Sequence, residues 1–122
     1  MTRKSTMWLI SAALVFSTPQ SVFAQTNPTP SFNCKRAVTE AELAICASTT
    51  LAAQDRAIAS LYNRVRAATP QARRAALRAD QQQFLRARDN CYGPEGNGID
   101  CLEGSLAERV RELNRWLRSG YR

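Results

Sequence analysis

The chain has 122 residues, with seventeen lysines and arginines against ten acids and no histidine. The missing histidine removes the commonest general acid–base group and the commonest metal ligand, and the length allows one small domain whose core needs covalent support. Aromatic residues make up only 7% of the chain, too thin a supply for the stacking platforms of single-stranded nucleic-acid binders.

Arg3 and Lys4 precede an apolar run from Met7 to Phe16, and Val22, Phe23 and Ala24 have the character of a cleavage site, so residues 1–24 read as an export signal. As a helix that run covers about 15 Å, roughly half the hydrocarbon thickness, which disfavours a permanent membrane anchor. No cysteine directly follows Ala24 and Arg3 stands alone, so neither a lipid-modified N-terminus nor a twin-arginine signal is expected. Residues 25–122 are therefore expected as a soluble periplasmic or secreted protein, not integral to a membrane. They keep fifteen of the basic residues and all ten acids, a net charge of +5, and Lys35 is their only lysine. The preference for arginine suits bidentate anion contacts and equally suits an arginine-rich genome.

Export makes the four cysteines a disulfide framework before a metal site. Three pairings are open. The local one, Cys34 with Cys46 and Cys91 with Cys101, is favoured because each pair brackets a segment rich in residues that start or stop helices. Neither pair has the close knuckle spacing that zinc would want, and no cofactor is implied.

Residues 25–31 hold two prolines and no core anchor and read as a flexible leader. The folded domain is expected over residues 32–118, followed by a tail over 119–122. Thr39 and Glu42 form a capping-box pattern that starts a short helix toward Cys46. From Leu51, the spacing of Ile58, Leu61, Tyr62 and Val65 predicts a longer helix. Thr69-Pro70 predicts a stop and a new start, with Thr69 as cap and Pro70 at the first position of a helix running to about Asn90. Residues 91–101 hold three of the five glycines and read as a stapled loop. The last helix, about Asp100 to Arg118, carries Leu102, Leu106, Val110, Leu113 and Leu117 on one stripe. With no period-2 strand, the expected fold is all-α: a disulfide-stapled antiparallel three-helix bundle with a short additional N-terminal helix.

Helical spacing puts three charges on apolar stripes: Asp55, Arg88 and Arg109. They are expected to meet as a buried ion network that fixes helix register, Asp55 accepting from Arg88 or Arg109, or else to line a polar cleft for an anionic ligand.

The residues Phe32-Asn33-Cys34, Ile45-Cys46, Leu51, Asp55, Tyr62, Leu77-Arg78, Gln81, Phe84-Leu85, Arg88-Asp89, Cys91, Cys101-Leu102 and Arg109-Val110 together resemble the N-terminal domain of the LprI-type lysozyme inhibitor family. The likeness runs from Phe32 to Leu117, and the Arg88-Asp89-x-Cys91 element within the four-cysteine frame is its most specific part. Phe84 stands where the family often carries tryptophan and Leu106 where tyrosine is common, both apolar exchanges. The resemblance implies a helical, disulfide-stapled protein of the cell envelope with lysozyme as its partner, and it assigns no contact residue.

Lysozyme is cationic, so the informative segment is residues 89–103, which hold Asp89, Glu95, Asp100 and Glu103 and no lysine or arginine. Tyr92, Glu95, Asp100 and Glu103 are the expected contacts for steric occlusion of the enzyme, unless the loop is an ordinary solvated turn. A second reading takes the arginine faces, with Arg73, Arg74, Arg78 and Arg86 foremost and Arg111, Arg115 and Arg118 beside them, as binders of anionic envelope polymers or lipid headgroups, unless they too are simply solvated. Export argues against nucleic acid as a partner. No catalytic residue is expected: there is no histidine base or phosphate loop, the cysteines are committed to bridges, and Glu108 and Glu112 read as surface acids beside Arg111 and Arg115.

Overall fold

Thr39 begins the first helix because three amides at its start find side-chain acceptors. In the computed structural model, which describes residues 27–122, Thr39 Oγ1 accepts from Glu42 N at 3.1 Å, while Glu42 Oε2 accepts from Thr39 N at 3.2 Å and Val38 N at 2.8 Å. This capping box opens α1, Glu40–Ala47. The expected signal segment and its cleavage after Ala24 lie outside the described residues. A short 3-10 turn, Cys34–Arg36, precedes α1 and is tied to it by the Cys34–Cys46 disulfide.

Ser48 then closes α1 and caps the next helix by accepting from Leu51 N, so α2 spans Thr49–Ala68 and begins two residues ahead of its first apolar anchor. Thr69 does not open the third helix. Its hydroxyl donates back to Val65 O at 2.7 Å, it is buried, and it ends α2; Pro70 follows in an extended conformation. A threonine hydroxyl committed to the carbonyl four residues behind it is not available to the amides ahead. A 3-10 turn, Gln71–Arg73, therefore intervenes before α3, Arg74–Asp89. The chain continues through a 3-10 turn, Asn90–Tyr92, and a glycine-rich loop into α4, Ile99–Ser119. The second disulfide, Cys91–Cys101, closes that loop.

Each long helix runs back along the one before it. Arg88 near the end of α3 lies beside Asp55 near the start of α2, and Arg73 just ahead of α3 reaches Tyr121 O beyond the end of α4. The main seam joins α2 to α4, where Leu51, Ile58, Leu61 and Val65 meet Leu102, Leu106 and Leu113. Ala41 and Ile45 of α1 close one end, and α3 adds the fully buried Leu77 with the half-buried Phe84 at its edge. The described residues form an all-helical bundle with two disulfides and a short helix at its front.

Residues 29–31, read from the sequence as part of a loose leader, are strapped across α2. Arg56 donates to Thr29 O at 2.8 Å, to Thr29 Oγ1 at 3.0 Å and to Pro30 O at 3.3 Å, Ser31 N donates to Asp55 Oδ2 at 2.6 Å, and Pro30 is buried. The tail beyond α4 is also fixed. Gly120 takes a positive φ of 81° and turns Tyr121 back edge-on to Trp116 at 4.8 Å between ring centroids.

Asp55, Arg88 and Arg109 are 6%, 4% and 4% exposed, yet they do not form one network. Arg88 donates from Nε and Nη2 to Asp89 Oδ1 at 2.9 and 2.7 Å, with Asp55 and Glu42 at 4.0 Å on its other sides. Arg109 meets α3 seven residues before Arg88, about 10 Å along the helix axis. There Nε and Nη2 donate to Gln81 Oε1 at 3.2 and 2.7 Å, Nη1 donates to Glu112 Oε2 at 2.6 Å, and Asp80 Oδ1 lies 2.8 Å from Nη2 without hydrogen-bond geometry. The guanidinium also faces the rings of Phe84 and Trp116 at 5.0 and 5.1 Å. The polar partner that completes Asp55 is the Ser31 amide, not Arg109.

Hydrogen bonds from the Val38 and Thr39 amides, and then the charge of Arg88, hold the Glu42 carboxyl below the usual carboxylate range. A carboxylate with a depressed folded pKa stabilises fully above its unfolded value and loses that contribution as pH falls through the folded one. Glu42→Ala is therefore expected to cost about 1 kcal/mol at neutral pH, with the difference from the parent shrinking as pH drops below about 4.3, measured by urea unfolding across the acid range. Arg109→Ala, which strips two carboxylates and two rings of their cation, should cost about 3 kcal/mol. Asp55→Ala should cost about 2 kcal/mol, since Arg88 keeps Asp89 and only the Ser31 amide loses its acceptor. Equal midpoints for parent and Arg109→Ala in urea would contradict the burial.

Candidate functional site

The loop after α3 is shaped by its own backbone before its side chains matter. Gly93 N donates to Asn90 O at 2.9 Å, Gly96 N to Gly93 O at 3.0 Å and Gly98 N to Cys91 O at 2.9 Å, folding the chain back over the buried Cys91. A Cβ on residue 96 would lie 1.9 Å from Cys91 O, so no residue larger than glycine fits there without moving the backbone. Gly98 takes φ 65°, a left-handed turn that delivers the chain into α4. With the Cys91–Cys101 bridge, these bonds make the loop a rigid tip.

On this tip Glu95, Asp100 and Glu103 are exposed, and among the described residues none of them has an ion-pair partner. Asp100 lies in the first turn of α4, where the helix dipole favours a negative charge. Asp89, the fourth acid of the segment, is engaged by Arg88. Tyr92 is not a free aromatic at the tip. It is half-buried against the core, and its ring edge lies beside Gly98, where it backs the loop from within. The large apolar side chains exposed to solvent among the described residues are Val38, just ahead of α1, Leu43 on α1 and Ile99 at the start of α4, all toward this same stapled end. Periodicity had no means of finding Leu43, since an exposed apolar residue on a short helix reads as core, or Val38, which lies ahead of the Thr39 cap and outside any helix.

The arginines divide differently from their expected grouping. Arg74 and Arg78 line a groove together with Arg66, which the sequence reading passed over. Arg73 is turned away toward Tyr121, whose ring its guanidinium faces at 5.2 Å. Arg86 lies twelve residues beyond Arg74 on α3, about 18 Å along the axis, near the stapled end. Arg111 and Arg115 are engaged by Glu108, at 2.7 and 3.3 Å.

Those two arginines hold the Glu108 carboxyl below the usual range, so it stays ionised rather than serving as a proton donor, and Glu112 accepts from Arg109. Among the described residues no cluster of histidine, cysteine or carboxylate side chains could hold a metal ion, and no helix is long and apolar enough to cross a membrane.

The comparisons agree with this geometry. A family model described as lysozyme inhibitor LprI matches residues 33–115, from the cap of the first 3-10 turn to the last turns of α4, and so takes in both disulfides, the acidic tip and both buried arginines. No curated protein and no solved structure matches the chain. A helical frame stapled at one end, matched over more than half its length, makes the chain a member of the LprI lysozyme inhibitor family.

Proposed function

We propose that the protein acts outside the cytoplasm, in the periplasm or secreted, where it inhibits a lysozyme by setting its stapled acidic end against the cationic enzyme and sterically blocking access to the substrate cleft. The observation that carries this reading is the exposure of Glu95, Asp100 and Glu103 without ion-pair partners on a disulfide-closed tip. Unpaired surface carboxylates keep their full attraction for an incoming cation, and a tip already ordered by its bridge and backbone bonds gives up little freedom on binding. Ile99, next to Asp100 in the chain, adds exposed apolar surface beside the acids, as the centre of an interface requires. The net charge of +5 opposes approach to lysozyme only if it is averaged over the molecule. Residues 89–103 carry −4 and the remainder of 25–122 carries +9, so the acidic end meets a cation first.

The decisive experiment titrates the oxidised protein into a c-type and a g-type lysozyme in a bacterial-cell lysis assay at physiological salt. Dose-dependent inhibition of one class is expected. Reversing Glu95, Asp100 and Glu103 to lysine should weaken it by at least about tenfold, whereas reversing Arg74 and Arg78 to glutamate should leave it within about threefold. Gly96→Ala, which cannot be accommodated beneath the loop, should also weaken inhibition while leaving the helical content intact. Failure to inhibit either class at large molar excess, or equal losses from the two charge reversals, would sink the proposal.

A further inference from the structure

The end of the bundle opposite the staple carries arginine and no acid. Between Asp55 and Asp80 the only charged residues are Arg56, Arg64, Arg66, Arg73, Arg74 and Arg78, and after Glu112 only Arg115, Arg118 and Arg122. The fold brings these stretches together, because α3 returns from the turn that ends α2 and Tyr121, just past α4, is bonded to Arg73 at 2.8 Å.

Within this end lies a groove of about 460 Å³ lined by Tyr62, Asn63, Arg66, Gln71, Arg74 and Arg78. Arg74 is fixed in place, donating from Nε to Thr69 O at 3.0 Å and from Nη1 to Gln71 Oε1 at 3.0 Å, which leaves Nη2 uncommitted. Arg66 and Arg78 flank it, exposed and without a hydrogen-bond or ion-pair partner among the described residues. Three guanidinium groups lining one groove with no counter-charge repel one another, and a tetrahedral oxyanion removes that repulsion while accepting from several forks at once.

The surroundings indicate where such an oxyanion sits. This end carries more arginine than one free ion would need, since Arg64, Arg118 and Arg122 belong to the segments that meet there. Tyr62 is the single aromatic in the groove and is packed against the core, which leaves no stacking platform for a nucleic-acid base. We propose that this basic end docks on a membrane surface rich in anionic phospholipid, with a headgroup phosphate in the groove formed by Arg66, Arg74 and Arg78. The acidic tip then points away from the membrane. The proposal does not depend on lysozyme inhibition, because the two surfaces share no residue.

The test is co-sedimentation of the purified, oxidised protein with vesicles of phosphatidylglycerol and phosphatidylcholine, against phosphatidylcholine alone, at about 0.1 M sodium chloride. Binding is expected to the anionic vesicles only. The double variant Arg66→Gln/Arg78→Gln should weaken it on the order of tenfold or more. Arg36→Gln/Arg86→Gln removes the same charge from exposed positions near the staple and should change it less than about threefold. Circular dichroism checks that both variants keep their helices. Absence of binding to anionic vesicles, or equal losses from the two double variants, overturns the site. Release by millimolar inorganic phosphate beyond that caused by sodium chloride of matched ionic strength would make it a free-anion site and overturn the membrane assignment.

Discussion

The guanidinium of Arg109 lies between α3 and α4, and the position of α3 depends on it. Leu77 is the one fully buried apolar side chain that α3 brings to the bundle, with Phe84 and Leu85 only half-buried, so burial alone gives this helix a weak hold. Arg109 completes the seam by bonding Gln81, contacting Asp80 and lying against Phe84. Removing an arginine from water is costly, and here the cost is offset by three polar partners and two aromatic faces around one cation. A helix placed in this way fixes both of its ends at once. One end leads into the stapled loop and the other leaves the arginine-lined turn, so both surfaces assigned here inherit their geometry from a polar contact in the middle of the bundle.

Charge and helix direction reinforce each other along the bundle. α2 and α4 both begin at the stapled end and finish at the basic one. The positive N-terminal end of α4 therefore lies beside Asp100, and the negative C-terminal ends of α2 and α4 lie beside Arg66 and Arg118. Asp100, Arg66 and Arg118 thus also stabilise the helices that carry them, whereas Arg74 opens α3, where the dipole opposes it. A net charge quoted for the whole chain conceals this arrangement, since the bundle is a dipole whose two ends attract opposite partners.

The helices themselves were legible in the sequence because their signals are local. Thr39 with Glu42, the apolar spacing that begins at Leu51, and the leucines of α4 are each read within a single helix, and the disulfide pairing followed from the segments that the cysteines bracket. Information that depends on axial height was not legible. Helical phase put Asp55, Arg88 and Arg109 on inward faces, but phase says nothing of how far along a neighbour each residue lands, and Arg109 lands at Gln81 rather than at Arg88. Thr69 could close one helix or open the next, and only the fold decides which carbonyl or amide its hydroxyl reaches. The strap of residues 29–31 depends on Arg56 and Asp55, more than twenty positions away, so nothing within its own composition announced it. Tyr92 read as a contact residue for the same reason: loop membership is local, whereas its packing against the core is not.

The two disulfides join consecutive cysteines, first to second and third to fourth, across separations of 12 and 10 residues. Neither bridge links one long helix to another along its length. A chain that emerges N-terminus first presents Cys34 and Cys46 together well before Cys91 appears, so oxidation in order of appearance yields the native pairs. When the native pairs form first in this way, the reshuffling that interleaved pairings demand is avoided. Local stapling thus lets each bridge close a loop of about a dozen residues without involving the packing of the long helices.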